Sequence, residues 1–347
     1  MKTKQKIDII KNTIFDSQYM TKRELDKFLK DNNYLDKSNN NEDMYKLIFS
    51  KLESEFDSVI LKLQEYEYDK KYRYFTLYKY DDTGIDIEKN IKCLKANKKV
   101  NSEVVDCWEA REIPTIKEYE KDLDIKFTLL LKSKYDDKII KYNIIATIFK
   151  DEKIISIKCS SVQVEFYNKE LYINNNNKVK SWIELNLGII LHEFESKKGF
   201  RKLYDDIKDN PDKHPNESHY RVLMDDDMNG RSSFIATDKG ILPFVGQLTQ
   251  IAENFENMND KKILLDYISE YEKNSIMRVI GIKWKNNFSN SGRKLGEIIV
   301  SISSEYSGNN ENNTLKYEYT LHHIMQKAGI NRERINYVIR FLSKYSR

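Results

Sequence analysis

The spacing of apolar residues changes along this chain, and each change predicts a different element. Over residues 1–67 the apolar positions recur every three or four residues. Ile7, Ile10 and Ile14 make one stripe, and Met44, Leu47, Ile48, Leu52, Phe56, Ile60 and Leu63 make a longer one, the pattern by which an amphipathic helix turns one face to a core. Between them, Thr21 with Glu24 three positions later has the form of a capping box and predicts a helix running to about residue 32. A strand-like run at 72–80 follows, then the turn Asp81-Asp82-Thr83-Gly84, a helix over 87–110 and a boundary at Pro114. From about Asp124 the period falls to two. Segments 125–131, 139–149, 154–160 and 162–172 are rich in β-branched and aromatic residues, with turn signals at Asp136-Asp137, Asp151-Glu152 and Asn168-Lys169. They predict an antiparallel meander.

Helical spacing returns over 182–209 and stops at Asn210-Pro211. Short strands are expected at 220–224 and 232–236, helices at 242–257 and 261–273, strands at 277–284 and 296–305, and terminal helices at 320–328 and 332–347. The fold class expected is α+β, with an N-terminal helical module followed by an antiparallel sheet with packed helices. Three segments are expected: a helical module over 1–67, a mixed stretch leading into the meander over 68–178, and an α+β domain over 179–347.

Composition narrows the class. With 39% apolar and 33% charged residues in 347, the chain has enough apolar surface for a folded core beneath a heavily solvated exterior. No stretch approaches the roughly 18 apolar residues of a membrane span, so no membrane partner is expected. The charged start, Lys2, Lys4 and Lys6, leads into an amphipathic pattern, and a cytoplasmic location is the expectation. Cys93, Cys107 and Cys159 are odd in number and lack C-x-x-C spacing, which reads as reduced, packed thiols. On the predicted helix Cys93 and Cys107 would lie about 21 Å apart, too far to share a metal.

The common chemical motifs are missing or broken. There is no G-x-x-x-x-G-K-[ST], G-x-G-x-x-G or G-x-S-x-G, and Gly292-Arg293-Lys294-Leu295-Gly296 reads as a turn. His192-Glu193 starts like a zinc-protease helix but has Ser196 where the second histidine belongs. His214 and His219 lie near Asp225-Asp226-Asp227, a set that could hold a divalent metal, yet the polar loop and the Asn229-Gly230 turn suit a solvated hairpin better. Asp151-Glu152-Lys153 and Asp86-Ile87-Glu88-Lys89 are the nearest approaches to a nuclease motif, the first at a hairpin turn and the second at a helix start. His322-His323, at the start of a predicted helix, would point about 100° apart and read as surface or partly packed histidines. No cofactor, metal or catalytic residue is expected.

Three features point toward nucleic acid. In the first, Leu25, Phe28 and Leu29 precede Asn32-Asn33-Tyr34, and Met44, Leu47, Ile48 and Leu52 follow a polar loop. Residues 20–52 resemble a SAP module, a two-helix DNA-binding element with an apolar helix ending in Leu-x-x-x-Gly, a polar loop and a second apolar helix. Asn33 stands where that module has glycine, and Asn41 where it has lysine. The resemblance implies that Lys22, Arg23, Lys27 and Lys30 face DNA; a plain structural helix pair would show the same apolar pattern.

The second feature is the stretch 283–294, where Lys283, Trp284, Lys285, Arg293 and Lys294 suit phosphates and a stacked base. A hairpin loop with Trp284 in the core fits equally well. The third is the C-terminal segment, where Arg332, Arg334, Arg340, Lys344 and Arg347 against Glu333 carry a net charge equal to the +4 of the whole chain. Ile335, Val338, Ile339 and Leu342 form the apolar stripe of that amphipathic helix, with the basic residues opposite.

The expected function is therefore an accessory or regulatory protein that binds nucleic acid, DNA rather than RNA, through phosphates and without chemistry of its own. A metal-dependent nuclease or phosphodiesterase built from dispersed acidic residues is the alternative. A further alternative is a subunit of a larger assembly whose C-terminal helix docks on a protein partner.

Overall fold

Local signals start and stop the first helices in the computed structural model of the chain. The structure describes residues 3–16, 18–34, 40–102, 113–168, 170–225, 231–236, 245–286, 296–309, 315–325 and 331–345. Helix α1 spans Thr3–Phe15, α2 Lys22–Asp31, α3 Asn41–Ser54 and α4 Phe56–Asp69. Thr21 caps α2 through the expected box, its hydroxyl accepting from the Glu24 amide while the Glu24 carboxylate accepts from the Thr21 amide. At the other end Asn33 takes φ 56°, and the Asn33 and Tyr34 amides donate to the Lys30 and Leu29 carbonyls. This is the left-handed helix stop that Asn tolerates in place of Gly.

The chain divides into two compact units, Met1–Glu193 and Phe194–Arg347, and both mix helices with largely antiparallel sheet, an α+β architecture. The helices of residues 1–67 thus belong to the same unit as the meander. In the N-terminal unit the strands are β1 (Tyr74–Asp81), β2 (Asn101–Ser102), β3 (Thr115–Glu118), β4 (Asp122–Lys132), β5 (Ile139–Phe149), β6 (Ile154–Cys159) and β7 (Ile190–Glu193). Their order is β2-β3-β4-β5-β6-β1-β7, antiparallel except for β2 and β3. The β4–β5 ladder runs unbroken from Asp122↔Phe149 to Lys132↔Ile139.

The two faces of this sheet are covered differently. Leu123, Ile125, Phe127, Ile144, Ala146 and Ile148 pack with Ile87, Ile91 and Leu94 of α5 (Ile87–Ala96) and Val179, Ile183 and Leu187 of α6 (Leu171–Leu187). The alternate positions, Asp124, Lys126, Thr128, Lys141, Asn143 and Thr147, are polar and nevertheless buried. That face meets the N-terminal helices, where Ile139 and Leu130 pack against the cluster built on Ile10, Ile14, Leu25, Leu29, Ile48 and Leu63.

Three N-terminal expectations are corrected. The helix expected over 87–110 stops at Ala96, because Lys98 turns left-handed with φ 53° and the chain enters β2; Cys107 lies outside the described residues. Segment 162–172 adds no strand, and α6 begins at Leu171. The helix expected over 182–209 is two, divided by Gly188 with φ 70° and by β7, which pairs with β1. His192-Glu193 accordingly sits on a strand.

The C-terminal unit contains α7 (Ser196–Asp209), β8 (Glu217–Asp225), β9 (Arg231–Ile235), α8 (Val245–Glu253), α9 (Met258–Asn274), β10 (Ile276–Asn286), β11 (Gly296–Asn309), β12 (Leu315–Ile324) and α10 (Arg332–Ser343). Its sheet runs β12-β11-β10-β8-β9, antiparallel throughout. Buried residues include Phe200 and Leu203 of α7, Trp284, Ile298 and Val300 of the sheet, and Ile335, Val338, Ile339 and Leu342 of α10. The helix expected over 320–328 is corrected to strand as far as Ile324, since Val300↔Ile324 through Ser304↔Thr320 pair across the sheet. Among the described residues no helix is long and apolar enough to cross a membrane.

Candidate nucleic-acid interface

Helix α2 divides cleanly into two faces. Leu25, Phe28 and Leu29 are buried, whereas Lys22, Arg23, Lys27 and Lys30 are exposed. Lys30 pairs with Asp26 at 2.8 Å; Lys22, Arg23 and Lys27 make no ion pair among the described residues. Helix α3, capped by the Asn40 side chain, pairs its cations within itself or at its end, the exposed Lys46 with Glu42 and the half-buried Lys51 with Glu55.

The second feature is rearranged by burial. Lys283, Trp284 and Lys285 lie on β10 itself, and Trp284 is wholly buried. Its ring is 6.1 Å from Phe200 at 85° and 6.1 Å from Phe341 at 71°, edge contacts typical of a core aromatic. It offers no open face to a base. Lys283 and Lys285 are half-buried on the other side of the strand, Lys285 lying 3.8 Å from its cross-strand neighbour Glu297. Arg293 and Lys294 lie outside the described residues.

The C-terminal helix buries its stripe as expected, but its basic residues are not an open face. Asn331 caps α10, its side chain accepting from the Arg334 amide. Arg332, Arg334 and Arg340 are half-buried and partnered, and Arg334 Nη1 donates to the Glu297 carbonyl at 3.1 Å. Only Lys344 of the four is exposed, and its ammonium lies 5.7 Å from the Phe341 ring.

The residues weighed for metal chemistry are dispersed or paired. His214 Nε2 is 2.9 Å from Asp206 and Nδ1 is 3.6 Å from Glu217, while His219 stacks on Tyr204 at 4.2 Å. The His214 contact, helped by hydrogen bonds from Tyr345 and Asn210, holds the Asp206 carboxyl below the ordinary range; burial pushes Glu217 above it despite the imidazole. Asp225 is taken by Arg231 and Arg278; Asp226 and Asp227 lie outside the described residues. Asp86 caps α5, and Lys153, with φ 57° at a turn, pairs with Asp82. His322 and His323 occupy a strand, so they point to opposite faces; His322 is buried against Phe200 and His323 Nε2 lies 2.7 Å from Ser303 Oγ. Among the described residues, no group of three or more His, Cys, Asp or Glu is placed to hold a metal.

The sequence reading missed a buried ionic cluster in the N-terminal unit. Glu67 of α4 accepts from Lys126 Nζ at 2.9 Å and Lys141 Nζ at 2.9 Å, and from the Tyr19 hydroxyl at 2.9 Å. Burial alone would raise the Glu67 carboxyl, but the two ammonium groups outweigh it and hold the carboxyl far below its ordinary range. Nearby, burial lowers the Lys70 ammonium to about 8, and Lys70 Nζ lies 4.3 Å from the Tyr19 ring. The period-two pattern of β4 and β5 contained the signal, since Lys126 and Lys141 alternate with apolar positions. Only the packing of α4 on that face shows that they are buried.

Comparison with protein-family models finds no match to this chain, and no curated protein is detectably similar to it.

Proposed function

We propose that this protein binds nucleic acid through the phosphate backbone, as an accessory or regulatory factor without chemistry of its own, and that α2 is the contacting element. One observation carries the reading: Lys22, Arg23, Lys27 and Lys30 are all exposed, Arg23, Lys27 and Lys30 on the side of α2 opposite its buried apolar residues, and Lys22, Arg23 and Lys27 have no counter-ion among the described residues. From Lys22 to Lys30 the row extends about 12 Å along the helix. One duplex strand carries a charge every ~3.4 Å of axis, so about three phosphates fall within its reach. The resemblance of residues 20–52 to a SAP module favours duplex DNA over RNA.

The test is a titration of the full chain with a 20-base-pair duplex and a matching RNA duplex over a salt series. Replacing Arg23 and Lys27 with Gln is expected to reduce the slope of log affinity against log salt by about 1.8, about 0.9 per lost contact, with little dependence on DNA sequence. An unchanged slope in a variant with wild-type melting would remove α2 from the binding surface.

A further inference from the structure

We propose that the outward face of α9 is a docking site for a protein partner that presents a basic amphipathic helix, an interaction independent of the nucleic-acid reading above. Helix α9 is apolar over a wider arc than one core contact uses. At about 100° per residue, Ile263, Tyr267, Tyr271, Leu264, Ile268 and Leu265 follow one another round about 200° of its circumference, whereas a stripe of roughly 100° is enough to pack a helix on one core. Ile268 is buried, and Leu264, Leu265 and Tyr271 are half-buried. Ile263 and Tyr267, one turn apart on the remaining flank, are each 60% exposed.

Charge identifies the occupant. Asp260, Asp266 and Glu270 lie within about 60° of Ile263 on the same face; all three are exposed and make no ion pair among the described residues. The nearest basic positions, Lys273 and Lys262, lie about 80° and 100° round the helix. Lys261 is on the inner side and donates to the Glu253 carbonyl at 3.3 Å. Asp260, in the first turn, also complements the helix dipole, but Asp266 and Glu270 are too far along α9 for that. A chain of net charge +4 thus surrounds an exposed apolar pair with uncompensated acids. A second copy docking through the same face would set like charges against one another, and a nucleic acid or an anionic lipid surface would be repelled. A helix with apolar residues at i and i+4, flanked by lysine or arginine, fits instead. Its side chains repeat at the ~6 Å spacing of Ile263 and Tyr267, and its cations meet Asp260, Asp266 and Glu270.

The probe is a labelled, amidated peptide of leucine and lysine at helical spacing, about 18 residues long, with its leucine–glutamate counterpart as the charge-reversed comparison. Anisotropy titrations at low and high salt compare the full chain with Ile263→Gln/Tyr267→Gln, with Asp266→Asn/Glu270→Gln and with a control. The control, Val164→Gln/Leu185→Gln, removes two exposed apolar side chains from the N-terminal unit. Melting curves are recorded in parallel. The expected result is binding of the lysine peptide alone, weakened about tenfold or more by the apolar variant. The charge variant should weaken it about threefold and reduce its salt dependence, the control should bind like wild type, and all variants should melt like wild type. Should the apolar variant melt lower, the charge variant on the same face decides the matter. No binding of the lysine peptide by the wild-type chain, or wild-type affinity in the apolar and charge variants, overturns the inference. An equal loss in the control, or equal binding of the glutamate peptide, overturns it as well. Self-association of the wild-type chain that Ile263→Gln/Tyr267→Gln abolishes would assign the face to a second copy and overturn it too.

Discussion

Lys126 Nζ lies 2.9 Å from the Glu67 carboxylate, and neither side chain is more than 1% exposed. A helix and a strand 59 positions apart in sequence are thereby joined through full charges inside the N-terminal unit. Lys141 shares the same carboxylate at 2.8 Å. Such a group is stable only as a set, because each charge is removed from water and compensated solely by its neighbours.

Glu67→Gln should therefore destabilise the N-terminal unit by about 3–5 kcal/mol, since it removes the carboxylate that two buried ammonium groups share. The wild-type contribution depends on pH with a definite sign. The folded Glu67 carboxyl is held below its unfolded value, so its stabilisation is complete above about pH 4.3 and is lost as pH falls below that. Urea unfolding from pH 7 to pH 3 checks both points; equal midpoints for wild type and Glu67→Gln at pH 7 would show that the cluster contributes nothing net.

Lys70 titrates in the opposite sense to a salt-bridged lysine. Its folded pKa is lowered, chiefly by burial, to about 8 from 10.5, so between about pH 8 and 10 the unfolded chain binds more protons and stability rises with pH. Lys70→Met keeps the volume and removes the buried charge. It is expected to raise stability at pH 7 by roughly 1–3 kcal/mol and to abolish the rise between pH 8 and 10. Melting curves at pH 7, 8, 9 and 10 read this directly; a destabilised Lys70→Met would mean that the contact with Tyr19 outweighs the buried charge.

For α10 the expectation is structural. Arg334→Gln removes the hydrogen bond from its guanidinium to the Glu297 carbonyl and should lower stability by about 1 kcal/mol, while leaving the salt slope of duplex binding unchanged. A slope reduced by about 0.9 would return Arg334 to the phosphate-binding surface.

What the sequence determined by itself is local. The Thr21–Glu24 capping box, the stop at Asn33, the two-residue period of β4 to β6 and the apolar stripe of α10 depend on residues a few positions apart, and backbone sterics and hydrogen bonds act at that range. The breaks at Lys98 and Gly188 were missed, because helical spacing continued across them and nothing nearby revealed the competing strand pairings of β2 and β7. Burial was decided by tertiary structure alone. Trp284 reads equally well as a loop aromatic or a core one until Phe200 and Phe341 close on it. The α10 arginines look like an open basic face until the unit half-buries them, and Lys126 and Lys141 look like solvated strand lysines until α4 brings Glu67 to them. Whether a charge faces water or a counter-ion depends on what packs across it, and those partners lie tens of residues away.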